Sequence, residues 1–145
     1  MKSKKRSAAN SRLKPPSPPP FFADRSVGKH VVPSALRQAG ATCHVHDDHF
    51  AADAPDEVWL RGAGAAGWVV ITKDTRIRYR EPERAALIAA NVRAFVFTTA
   101  DLNGVEMADM VVKALPAIAR LCNRMPAPFI ARIGKAGRVN ILFRG

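Results

Sequence analysis

From residue 21 onward, short apolar runs alternate with stretches whose apolar residues recur every three or four positions, and this alternation constrains the fold more than any other feature. Phe21 to Ala23 reads as a short apolar strand. Val31, Val32, Ala35, Leu36 and Ala39 then recur at helical spacing, with Gly40 where a helix would stop. Thr42 to His46 reads as a second strand, and Asp56 as the amino-cap of a helix carrying Val58, Trp59, Leu60 and Ala63. Trp68 to Thr72 is apolar on both faces, as buried parallel strands are. Pro82 opens a helix through Ala90, Ala94 to Thr98 makes a fourth strand, and Val105 to Leu121 a long amphipathic helix interrupted at Pro116. Phe129 to Ile133 and Val139 to Phe143 form a hairpin at the sheet edge. Parallel strands need crossover helices, so the pattern predicts an α/β sandwich with a mostly parallel sheet in one domain, residues 21–145.

Residues 1–20 stand apart. Lys2, Lys4, Lys5, Arg6, Arg12 and Lys14 meet no acid, and five prolines fall between Pro15 and Pro20, the composition of a disordered basic tail ending in a stiff spacer. These six bases supply over half of the formal charge of +11, which favours a polyanionic partner such as nucleic acid. No apolar run is long enough for a span, and the basic start leads into proline rather than a signal core, so the expectation is a protein of the cytoplasm with no membrane partner. Cys43 and Cys122 are too few for a disulfide framework.

In an open parallel sheet, ligands bind beyond the carboxyl ends of the strands, where loops converge and helix amino termini point. Asp24, Asp47, Asp48, Asp74 and Asp101 follow predicted strands and Asp56 opens a helix at the same rim, so six of the 12 acids share one edge. Clustered carboxylates repel unless a cation neutralises them, and a hard oxygen set suits Mg²⁺ or Mn²⁺. Such an ion can lower the pKa of a bound water and stabilise the leaving oxygen of a phosphodiester, with no covalent enzyme intermediate. Arg76, Arg78 and Arg80 alternate after Asp74 and would line one side of an extended segment; with Arg25 and Lys73 they are candidate phosphate contacts.

The runs FFADRSVG (Phe21 to Gly28) and DEVWLRGAGAAGWVVITKD (Asp56 to Asp74) resemble the PIN-like nuclease domains, especially the short prokaryotic kind related to VapC toxins. In that pattern an apolar strand ends in Asp, a D-x-x-hydrophobic helix follows, and a buried strand ends in T-x-D; the match covers about residues 21–100. Asp24, Asp56 and Asp74 fall on the three acidic positions and Thr72 on the Thr. The resemblance implies a three-layer α/β sandwich and a metal-dependent endoribonuclease acting on RNA. It further implies the toxin of a toxin–antitoxin pair, dimeric and silenced by a cognate antitoxin. Asp24, Asp56 and Asp74 would hold the metal with Asp101 or Asp47 completing the set, and Thr72 would orient a carboxylate or a water. Two features depart from the family pattern. Its further acid, usually Glu, has no counterpart between Asp24 and Asp56, where Asp47, Asp48 and Asp53 are the acids present, and its Asp-Phe pair after T-x-D is replaced by Thr75, Arg76 and Ile77.

Other readings compete. A non-catalytic nucleic-acid or partner-binding module fits the basic tail and the incomplete acidic set. A receiver-like signalling domain would use Asp74 as phosphoacceptor with Thr98 and Lys135, but Asp24 is followed by Arg25 rather than a second acid. Cys43, His44, His46 and His49 invite zinc, yet on a strand Cys43 points away from His44 and His46, and no second ligand pair follows. P-loop, dinucleotide and nucleophile-elbow motifs are absent. Leu115, Ile118 and Leu121, or the terminal hairpin, could serve a dimer surface or the core.

Overall fold

The computed structural model describes residues 17–74, 80–97 and 101–145. Six strands form one sheet in the order β2-β1-β3-β4-β5-β6. They are β1 (Phe21–Ala23), β2 (Cys43–Val45), β3 (Val69–Thr72), β4 (Arg93–Phe97), β5 (Phe129–Ile133) and β6 (Val139–Arg144). The first five run parallel and β6 returns antiparallel along the edge. The helices are α1 (Val31–Gln38), α2 (His46–His49), α3 (Asp56–Ala66), α4 (Glu81–Ala90) and α5 (Gly104–Arg124).

Side chains of the central strands alternate between two cores. Phe21, Ala23, Val69, Ile71, Phe95 and Phe97 face α1 and α5, while Phe22, Val70, Ala94 and Val96 face α3 and α4. The result is helix, sheet, helix: the three-layer sandwich. Chain direction along the sheet reverses after β2. The chain steps from β1 to β2 through α1, then back past β1 to β3 through α3, and crossovers of one hand put these helices on opposite faces. A crevice therefore opens beyond the carboxyl ends of β1 and β3. Pro20 is joined to this core, its carbonyl accepting from the Val69 amide at 2.8 Å, whereas residues 1–16 lie outside the described set.

Several expectations need correction. The second strand ends at Val45, and His46 opens α2 instead, because its ring, 2% exposed, packs among Phe22, Phe50 and Trp59. β3 begins at Val69, not Trp68, whose ring stacks on His44 at 4.0 Å. Asp56 is not the cap of α3: Pro55 occupies that position and Asp56 is the first helical residue. α5 runs unbroken through Pro116, since a capping box between Asn103 and Glu106 and a buried face from Met107 to Leu121 outweigh the one backbone bond that proline deletes. Leu115, Ile118 and Leu121 belong to that buried face and are not a free dimer surface.

Candidate active site

The site is built at the crevice from the two central strands. Asp24 follows β1 directly and is 7% exposed. An Asx turn holds it: the Ser26 amide donates to Asp24 Oδ1 at 3.0 Å, and the Ser26 hydroxyl donates to the same oxygen. Thr72, 1% exposed at the end of β3, donates from Oγ1 to Asp24 Oδ2 at 2.6 Å and accepts the Asp74 amide at 3.0 Å. Ser26 Oγ accepts the Lys73 amide at 2.9 Å, so the two strand ends are stitched from both sides. Burial raises the Asp24 carboxyl above the usual carboxylate range against the pull of the Ser26 and Thr72 hydrogen bonds, and the charge of Asp74 adds to the rise.

The α3/α4 face supplies the opposite wall. Asp56 accepts the indole N–H of Trp59 at Oδ1, 3.0 Å away. Asp24, Asp56, Trp59, Leu60, Thr72, Asp74 and Glu83 line one pocket. A groove continues from it past Arg25, Ser26 and His46, and beside it a second hollow is lined by Asp24, Arg25, Gly28, Lys29, His46 and Asp47.

The sequence matches the family described as "PIN like domain" over residues 19–99, more than half of the chain. The chain belongs to the PIN-like domain family. Its PIN-like sequence is also 32% identical over 126 residues to a protein of Mycobacterium tuberculosis named "Putative ribonuclease VapC45", covering 84% of this chain and 91% of that one. No solved structure gives a significant match. The receiver-like reading falls with this assignment; its Thr98 lies outside the described residues.

In this PIN-like domain Asp24, Asp56 and Asp74 come to one pocket with Thr72 between two of them. Asp47 sits apart on α2, ion-paired with Arg25 at 3.2 Å and Lys29 at 3.6 Å and hydrogen-bonded to His46, contacts that lower its pKa, the His46 bond most of all. Asp101 is exposed just before α5 and does not line the pocket. Arg25 is further engaged by the Ala52 carbonyl and Lys73 by the Leu102 carbonyl. Arg80 is exposed at the amino-cap of α4, and Arg76 and Arg78 lie outside the described residues. Ser26, in the adjoining groove, and Glu83, in the pocket lining, are site residues that sequence reasoning missed. The D-x-S spacing could have pointed to Ser26 as an Asx turn; nothing local marks Glu83.

Among the described residues, no three His, Cys, Asp or Glu side chains stand close enough to form a ready-made metal cage. The donor chemistry of the pocket is nonetheless that of a hard, hydrated cation such as Mg²⁺ or Mn²⁺, which keeps several waters and takes one or two carboxylates: its acids are all oxygen donors, and Glu83 Oε2 is buried with no hydrogen-bond partner.

Linkage gives a first test. With its folded pKa above the unfolded value, Asp24 binds its proton more tightly in the folded state, so stability falls as pH rises through that window. Asp24→Asn, neutral at every pH, is therefore expected to melt above the native chain near neutrality in metal-free buffer. The gap should close as pH drops toward the ordinary carboxylate range. Calorimetric melts giving a pH-independent difference would exclude a charged Asp24 as its source.

Proposed function

We propose that this PIN-like protein is a Mg²⁺- or Mn²⁺-dependent endoribonuclease, the toxin component of a toxin–antitoxin system acting in the cytoplasm. One observation carries the reading: Asp24, Asp56 and Asp74 line a single pocket at the carboxyl ends of adjacent parallel strands. The word ribonuclease in the name of the mycobacterial relative supports RNA as substrate, and the resemblance to VapC toxins supports a cognate antitoxin and a homodimer. Among the described residues no helix is long and apolar enough to cross a membrane.

Asp24, Asp56 and Asp74 would hold the metal, directly or through water, with Asp47 or Asp101 as further acids at the rim. The bound ion supplies charge neutralisation at the phosphodiester and a water acidified toward neutrality. The chain's own residues position. Thr72 fixes Asp24 relative to the Asp74 backbone, Ser26 ties Asp24 to the segment after β3, and Trp59 holds one oxygen of Asp56. Arg25 and Lys73, with Arg76, Arg78 and Arg80, would contact the phosphate backbone, and the basic residues of 1–20 would add salt-sensitive affinity.

The full chain incubated with RNA is expected to cut it in Mg²⁺ or Mn²⁺ and to stop on addition of EDTA. RNA bound equally well with and without EDTA, and left intact in Mn²⁺, would instead establish the non-catalytic binding module.

A further inference from the structure

We infer that Glu83 is a fourth carboxylate of the metal-holding group, delivered from the first turn of α4 rather than from the segment between Asp24 and Asp56. The inference rests on the functional reading above and extends it to a residue on a different element. Glu83 lines the pocket with Asp24, Asp56 and Asp74, and its Oε2 is buried without a hydrogen-bond partner. The pocket holds no donor to spare. Its lining residues offer two side-chain donors, the Thr72 hydroxyl and the Trp59 indole, committed to Asp24 and to Asp56. A carboxylate oxygen withdrawn from water needs a donor or a cation. Among the described residues nothing else in the pocket is left to satisfy it, and beside three further carboxylates the group that would do so is a hydrated divalent cation rather than an anion or an apolar group.

The competing explanation is local. Glu83 is the third residue of α4, where a negative charge favours the positive end of the helix dipole. Glu81 opens the same turn with its side chain 81% exposed, and would share that effect without reaching the pocket. The two carboxylates thus separate the explanations.

Mn²⁺ titration of the full chain by calorimetry, with thermal melts with and without Mn²⁺, makes the test. Glu83→Gln is expected to weaken Mn²⁺ binding about 10- to 100-fold and to shrink the Mn²⁺-induced rise in Tm, while the metal-free Tm holds or increases. Glu81→Gln should leave Mn²⁺ affinity within about twofold. Unchanged Mn²⁺ affinity in Glu83→Gln, alongside binding lost in Asp24→Asn, would overturn the inference and leave the nuclease reading standing. A native chain that binds no Mn²⁺ would overturn both. Should Glu83→Gln fail to fold, Glu83→Asp decides, since it keeps the charge one methylene further back: weakened Mn²⁺ binding supports the role, and native affinity overturns it.

Discussion

Asp74→Asn is expected to lower divalent-dependent RNA cleavage by about 10²-fold or more while leaving the melting temperature near that of the native chain. The charge is what the variant removes. Asp74 is half-buried, and its backbone amide, which donates to Thr72, is untouched by the change, so the stitch between β1 and β3 survives. Losing a negative charge next to Asp24 also removes one cause of the raised Asp24 pKa, so the stability change should stay within about 0.5 kcal/mol in either direction. Asp24→Asn should silence cleavage as fully, with a different stability signature. There an amide NH₂ must replace one of two carboxylate oxygens that accept from Ser26 and Thr72, a cost of about 1 kcal/mol set against relief of a buried charge. Cleavage rates measured with each variant's far-ultraviolet circular dichroism separate loss of chemistry from loss of fold. Undiminished cleavage in both variants would move the reaction elsewhere on the molecule.

The parts of this site that could be read from the sequence are those fixed by strand periodicity. Phe22 and Asp24 share one parity, as do Val70, Thr72 and Asp74, and the buried residues of that parity face the α3/α4 core. An Asp placed just past an apolar strand, with side chains alternating, therefore already predicts its neighbours across the sheet. Asp56 needed only a helix start after a loop, although Pro55 took the cap. What stayed hidden depended on contacts between elements distant in the chain. His46 continues the strand pattern in sequence, but the ring environment of Phe22, Phe50 and Trp59 ends the strand before it. Asp47 stays among the candidate acids, but its ion pairs with Arg25 and Lys29, 22 and 18 positions earlier, had no signal in the sequence. Glu83 reads as an ordinary helix-start acid, and its place in the pocket follows solely from how α4 lies on α3.

That packing can be broken at one atom. Gly64 lies on α3 where a Cβ would sit on the Ala90 carbonyl oxygen at the end of α4, with Ala90 C at 3.0 Å and Val92 Cγ2 at 3.2 Å. Helix propensity alone makes Gly→Ala in an exposed helix favourable by about 1 kcal/mol. Here the neighbour is backbone, which cannot swing aside as a side chain would, so α4 must move off α3 as a unit. Gly64→Ala is expected to destabilise by about 2–3 kcal/mol despite its better propensity, a drop of roughly 5–10 °C in Tm. Gly67→Ala is the matching control. It places a Cβ in open space but at φ +75°, so its cost should be that of left-handed backbone alone, about 1–2 kcal/mol. Because Asp56 rides on α3 and Glu83 on α4, the clash at Gly64 should also weaken Mn²⁺ binding in the fraction that remains folded, and the strain at Gly67 should not. A Gly64→Ala chain as stable as the native one would mean that α3 and α4 are not in this close contact, and would take away the packing that brings Glu83 to the aspartates.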